Sequence, residues 1–551
     1  MPIQSGNPPG VMMLEQWAGL NQLVPRHSID DQELWWNENL FPIGPGSLRS
    51  CWGHGPVLYT APAGTTILRI FFGFYGNTTP PFSWPPPGRN GWMFLSNGHV
   101  VELDLDTLAT IDIGQIWEPI APQYWASAKV WRPRWVGNTP GEVGGVLFGS
   151  PQGLYAWDGT TLYSPGGAAP NWLTNADISG LGPFSMPVGL PGIFTMEVYQ
   201  QRLFVAGKDV IAYSAPQNGA DFSASGGGGA FGYFGDKLVY SYMDLAASAG
   251  YLFCFGDSST DMISNVQLTG SGTVDSPYST VFNYQNVDPQ IGHAFPRPVG
   301  HWGRYFVMGN GAPLQPPDTD PLAHRGSVYL MFGGDAQVIG EKITRLYTTI
   351  DNTEFQPTIC PATIFGFRVM LLNAMFTDPF GVRRPLMLMW HGNLRGREVW
   401  SIATQNLNLT HIASYEQDSV ITPYGTDGTS LYQLFANPDP ALPKRFSTKA
   451  YKGSGIQGLT IKNWKRLFLE VTDYSGQGCS FNGRVTTTGG GIPNGVQDVA
   501  FELVPGQLYA LEPQIISGQG LSGQMDMISY SPDFTIERLF VGAEERTLFG
   551  A

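Results

Sequence analysis

Charge is scarce in this chain. Only 13% of its 551 residues are Asp, Glu, Lys or Arg, about half the share of an ordinary soluble protein. A surface this poor in charge is either covered by neighbouring subunits or built from Ser, Thr, Asn, Gln and Gly. Basic residues are the scarcer kind. Against 44 acids there are 30 Lys and Arg, which leaves a net charge of −14 and a pI near 5.0. Proteins that grip nucleic acid do so by neutralising phosphates with cations. Tight nucleic-acid binding is therefore disfavoured, whereas passage of nucleic acid along a like-charged wall is not.

Cysteine and histidine are also sparse. Cys51, Cys254, Cys360 and Cys479 lie far apart, and no C-x-x-C pair occurs. Zinc sites and a dense disulfide framework are excluded, and the four are read as buried free thiols. The eight histidines (27, 54, 99, 293, 301, 324, 391 and 411) never fall at metal-ligand spacing. The longest apolar runs, such as residues 385–390, are far too short to span a bilayer. Residues 1–10 carry neither a basic nor an apolar signal region. The expectation is a chain without a membrane span, made in a cytoplasm.

The motifs of common chemistry are missing as well. There is no G-x-S-x-G, no G-x-x-x-x-G-K-[ST] and no H-E-x-x-H. Asp104-Leu-Asp106 lacks the rest of a calcium loop. The run Gly226 to Gly229 has no helix after it to cradle a phosphate. Asp236, Asp244, Asp257 and Asp261, like Asp318 and Asp320, are read as turn and cap residues rather than glycosidase carboxylates. Trp35, Trp36, Trp84 and Trp92 are read as core, although exposed aromatics of this kind stack on sugars elsewhere. No catalytic, cofactor-binding or metal residue is assigned, and no enzymatic activity is expected.

Glycine and proline are abundant, 70 and 44 residues, and aromatics reach 13%. Together they read as many turns between strands, not as disorder. Short apolar runs meet Gly-bearing turns and then a second apolar run. Residues 91–98 lead into 99–104, 145–149 into 154–157 and 161–163, and 201–206 into 210–213. Further along, 250–255 leads to 262–263, 303–308 to 326–331, and 366–371 to 386–390 and 398–402. Asp427-Gly428 before 429–435 repeats the format of Asp158-Gly159 before 161–163. The hairpins recur about 45 to 65 residues apart, which suits a β-propeller of about six or seven blades. A series of β-sandwiches is the competing architecture.

Long Gly/Pro/Ser insertions at 78–90, 164–191, 217–235 and 311–325 interrupt the array. The first and last of these are the candidate loops for closing a channel. From about residue 441 the text changes. Lys444, Arg445, Lys449, Lys452, Lys462, Lys465 and Arg466 make a basic stretch read as a solvated strand face, and alternating strands follow. The expected organisation is an N-terminal arm over 1–60, an all-β propeller with inserted loops over 61–440, and a C-terminal antiparallel β-domain or ring-closing strands over 441–551.

The most specific text is near the start. Residues 25–34 (Pro-Arg-His-Ser-Ile-Asp-Asp-Gln-Glu-Leu) precede Asn37-Glu-Asn39, Pro42, Gly44-Pro-Gly-Ser-Leu-Arg49 and Gly53. This pattern resembles the opening of tail nozzle proteins of short-tailed bacteriophages, the tail-tube or tail-stabilisation class. Arg202-Leu-Phe-Val205 with Tyr213-Ser214, followed by residues 219–222, also resembles a strand pair of that family.

The resemblance implies an N-terminal arm before a propeller and a homohexameric ring at the distal end of a virion tail. Such a ring retains and conducts genomic DNA without binding it specifically. Its implied partners are a tail adaptor, tail fibres and the host surface, and no cofactor is implied. An acidic lumen agrees with this, because it repels DNA. Two other readings stand beside it. One is a carbohydrate-binding or carbohydrate-cleaving propeller, and the other is a different β-rich baseplate or capsid component.

Overall fold

The computed structural model describes residues 11–43, 46–74, 89–117, 127–131, 145–157, 159–164, 193–207, 210–232, 242–257, 259–289, 291–311, 326–333, 335–394, 397–451, 461–488, 495–505, 509–520 and 522–546. Among these residues the fold is all-β, and its single α-helix is one turn, Thr344–Tyr347. The two loops singled out as channel-closing candidates, 78–90 and 311–325, lie almost wholly outside the described residues, as do Trp84, Asp236, Asp318 and Asp320.

Seven antiparallel four-stranded meanders follow one another along the chain. Six are separate sheets, and one forms part of a nine-stranded sheet. The first runs over residues 67–115, the second over 127–163, the third over 195–232, the fourth over 242–288, the fifth over 300–338 and the sixth over 358–403. The seventh takes three strands from 411–433, and its fourth comes from far upstream. Strand Val57–Thr60 pairs antiparallel with Ser430–Gln433. Every hairpin anticipated from Gly-bearing turns forms. At the turn before His99–Asp104, Gly98 has φ +86°, and a Cβ there would collide with the Trp117 carbonyl.

Side-chain alternation explains the packing. In strand Arg202–Ala206 every residue is buried. Leu203 and Val205 face the second meander's Leu147 and Leu154, whereas Phe204 and Ala206 face the fourth meander's Leu252 and Cys254. Strand Tyr251–Gly256 repeats the device, sending Phe253 and Phe255 toward Phe306 and Met308 of the fifth. A sheet covered on both faces reads as an unbroken apolar run, not as alternation.

Such shared clusters join each meander to the next. The last joins the seventh, through Tyr424 and Leu431, to Met93 and Leu95 of the first. First strands touch in the same order. Ser127–Trp131 contacts both Ile67–Phe74 and Thr195–Tyr199, and His411–Gln417 contacts Ile67–Phe74.

The chain's two ends form the rest. Beyond the sixth meander the nine-stranded sheet continues through Leu34–Glu38, Lys444–Thr448, Ser522–Ser529, Cys479–Thr488 and Gly495–Leu503. A six-stranded sheet combines Val11–Leu14, Leu40–Ile43 and Ser47–Ser50 with Phe534–Arg546, Ile461–Asp473 and Tyr509–Gly520. One core lies between them, with Trp17, Leu48, Phe446, Trp464, Phe481 and Phe534.

Candidate functional site

Two constellations stand out, a lock made by the N-terminal segment and a cavity among the first strands of the meanders.

The lock is built from the residues quoted at the start of the chain. Strand Leu34–Glu38 lies between the sixth meander and Lys444–Thr448, parallel to the former and antiparallel to the latter. Glu38 accepts from Nη1 and Nη2 of Arg384, each at 2.9 Å, and from Nε1 of Trp36. Asn39 takes φ 57°, a left-handed conformation that Asn tolerates. Its amide donates to Thr404 Oγ1 and Pro443 O, and it accepts from the Thr404 N–H. Arg49 donates to both carboxylate oxygens of Asp533, with the Tyr474 ring 4.1 Å from its guanidinium carbon. Gly53 donates to the Asn437 carbonyl, and a Cβ there would meet the Asp439 side chain.

The acidic patch of residues 30–33 is consumed internally. Glu33 accepts from Asn21 and pairs with Lys342, and Asp31 pairs with Lys449. The second quoted motif is used the same way. The buried Arg202 guanidinium donates to the carbonyls of Ser214 and Gly227, and Ser214 Oγ accepts from the Leu203 N–H.

The cavity, about 410 Å³, is lined by residues of all seven meanders or of the segments leading into them. Its ionisable residues include Arg69, Lys129, Glu197, Asp244, Arg297, His301 and His411. Lys129 and Glu197 pair at 2.7 Å. Asp244 accepts from Thr195 Oγ1 and from the Val299 N–H, and burial pushes its carboxyl up to about 6. Arg69 and Arg297 both donate to one acceptor, the Pro296 carbonyl oxygen. Burial alone lowers Arg297 to about 10. Arg69 falls well below its ordinary value through burial first and the Arg297 charge second. His411 is likewise lowered, by burial and then by the two guanidiniums.

The structure changes several expectations drawn from the sequence. Asp244 is neither turn nor cap. It sits in strand Tyr242–Ser248, buried in the cavity wall. Asp261 is also a buried strand residue, accepting from Tyr284 Oη and Asn286 Nδ2. Lys444 does not belong to a solvated face, because it is 1% exposed and donates to the Asp439 carbonyl. Trp36 and Trp92 are core, and all four cysteines are buried and free. Nothing in the sequence spacing of Arg69, Arg297 and His411 connects them as a group.

Among the described residues no cluster of His, Cys, Asp and Glu is placed to hold a metal ion, and no helix is long and apolar enough to cross a membrane. No family model matches the chain, and no curated protein does. Among solved structures, an ancestral GH74 enzyme aligns at 11% identity and TM-score 0.23, over 67% of this chain and 56% of the other. The tryptic core of a Bacillus thuringiensis Cry1Da variant aligns at 8% identity and TM-score 0.16, over 54% and 50%. The chain thus spans about half of either structure, and neither score supports a shared fold or activity.

Proposed function

We propose that the chain is a structural subunit of a short phage tail, a nozzle protein built on a seven-bladed propeller and assembled into a hexameric ring. The observation that carries this reading is the lock. The text resembling the nozzle family, residues 25–53, ties the sixth meander to both terminal sheets, and it does so with partly buried side-chain hydrogen bonds. A conduit under load needs its first and last strands fastened, and here the opening segment does the fastening.

The propeller reading is supported by seven consecutive meanders with shared clusters that return to the first. Strand Val57–Thr60 supplies the fourth, outer strand of the seventh meander from the other end of the array. On this reading residues 1–60 are an arm whose last strand belongs to the array, and the segment after 440 forms the two terminal sheets together with that arm.

DNA then travels between copies and not through the subunit. The cavity at the centre of the meanders holds about 410 Å³, too little for a duplex whose major groove alone is ~12 Å wide. A wall of net charge −14 per copy keeps DNA from adhering. The virion is the site of action, with the adaptor, fibres and host surface as contacts.

The deciding measurement is the mass of the purified full chain, by light scattering and native mass spectrometry, together with negative-stain imaging. Rings of about six copies are expected. A stable monomer that hydrolyses a polysaccharide would replace this reading with the carbohydrate-active one.

A further inference from the structure

We infer that Asn21 and Lys342 join in an isopeptide bond once the chain has folded, with Glu33 moving the protons. The bond is a modification the chain makes on itself, and it does not rest on the nozzle reading.

The amide and the amine meet at one carboxyl group. Asn21 Nδ2 donates to Glu33 Oε2 at 2.6 Å, and Lys342 Nζ lies 2.9 Å from Glu33 Oε1. Backbone contacts hold the two segments together, because the Gln22 N–H donates to the Lys342 carbonyl. Lys342 Nζ also donates to the Glu398 carbonyl, and Glu33 Oε2 accepts from the Asp30 N–H. Asn21 Oδ1 accepts from the Leu23 N–H at 3.0 Å. Little water reaches the place. Asn21 is 8% exposed, Glu33 5% and the Lys342 side chain 19%.

Each contact has a task in amide exchange. A lysine amine becomes a nucleophile when it gives up a proton, and Glu33 is within hydrogen-bond reach to take that proton. The Nζ electron pair attacks Asn21 Cγ and forms the Nζ–Cγ bond. The carbonyl π pair moves to Oδ1, where the Leu23 N–H meets the developing charge. Glu33 delivers its proton to Nδ2 and takes one from Nζ. The pair on Oδ1 restores the carbonyl, the Cγ–Nδ2 bond breaks, and its electrons leave on ammonia. Ammonia takes the last proton from Glu33, which is a carboxylate again. A lysine ammonium and a carboxamide have become a secondary amide and an ammonium ion, and no oxidant is consumed. Holding the reactants in contact supplies the rate that a free amine and amide lack.

The bond closes a loop over residues 21–342, which contains the first five meanders. Covalent closure of a long loop constrains the unfolded chain, as a disulfide does. All four cysteines are free, so this staple fastens the arm without an oxidising compartment.

The test is mass spectrometry of the full wild-type chain after denaturation. The intact mass should fall about 17 Da, one ammonia, below that of the sequence. Succinimide formation at an Asn-Gly step loses the same mass, so the peptides decide. Trypsin should release residues 1–26 joined to residues 326–345, with Lys342 no longer cleaved. Lys342→Arg keeps a cation beside Glu33 but no nucleophile. Its linear chain should migrate differently from the looped wild type on a denaturing gel. Glu33→Gln, which cannot carry the protons, should also stay linear and at full mass. If folded wild type yields only separate peptides 1–26 and 326–342, the inference is overturned, and that result needs no variant. Loss of ammonia without the joined peptide overturns it equally. Wild-type yield of the joined peptide from a folded Glu33→Gln chain overturns the role of Glu33.

Discussion

Glu38, only 1% exposed, receives both terminal guanidinium nitrogens of Arg384 at 2.9 Å, although the two residues are 346 positions apart. Arg384 also donates Nε to Asp378. The pair fastens the N-terminal strand to the sixth meander, where Leu34–Glu38 runs parallel to the meander's last strand. Removing a single member of such a pair strands the other in a poorly solvated site. Glu38→Gln keeps the shape and one acceptor but loses the charge. It is expected to cost about 2–4 kcal/mol, read from urea unfolding, with Asp378 limiting the loss. Glu38→Asp, too short to bridge, should cost nearly as much.

Asn39 provides the second fastening. Alanine at φ 57° carries a strain of ~1–2 kcal/mol, and three hydrogen bonds disappear with the amide. Asn39→Ala is expected to lose about 3 kcal/mol. Glycine removes the strain but not the lost bonds, so Asn39→Gly should fall between alanine and wild type. If glycine and alanine unfold at the same urea concentration, backbone strain at this position is not what asparagine relieves.

The meanders were legible because each hairpin is local. A Gly-bearing turn and two apolar runs within about twenty residues announce their own pairing. The closures were not legible. Val57–Thr60 carries nothing in its four residues that names Ser430–Gln433 as its partner, and its place in the array followed only from the pairing itself. The cavity was partly legible. Asp244 drew notice, but as a turn residue. Arg69 lies inside the apolar run Ile67-Leu-Arg-Ile70, and an arginine on an inward position of such a run was the available sign of a buried cation. Arg297, between two prolines, offered none. The basic run after residue 441 misled because sequence counts charge and not depth, as Lys444 shows.

Acid should destabilise the fold before ordinary carboxylates titrate. Burial holds His293 down to about 4 and His391 down to about 3. His293 Nδ1 accepts from the Gly309 N–H, while Nε2 donates to the Arg297 carbonyl. A proton on Nδ1 breaks the first of these bonds. The unfolded chain protonates these histidines near pH 6.5, so it binds more protons than the folded one below that pH. The stabilisation is therefore complete above pH 6.5 and is lost as pH falls toward 4 and 3, by about 2 kcal/mol per histidine at pH 4.5.

Asp244 acts in the opposite sense. Its folded value near 6 lies above the unfolded one, so it gains stability as pH falls through 6. Urea midpoints from pH 7.5 to 4.5 should fall steadily. His391→Gln should flatten the slope, and Asp244→Asn should steepen it.

Arg49 tests whether the two ends of the chain unfold together. Its Nη2 donates to both carboxylate oxygens of Asp533, and its flat guanidinium rests on the Tyr474 ring, a stacking that a lysine ammonium cannot reproduce. Thr535 and Ile536 pair with the backbone of Arg49 and Leu48, so the same contact sets where the long C-terminal strand meets the arm. Arg49→Lys is expected to cost about 1–2 kcal/mol. The loss should be local. Amide exchange should quicken in Phe534–Arg546, Ile461–Asp473 and Ser47–Ser50, while the third and fourth meanders, which share no cluster with these strands, keep wild-type protection. Uniform acceleration across all seven meanders would instead mean that the arm holds the whole array closed. Arg49 would then belong to the global folding unit and not to a terminal one.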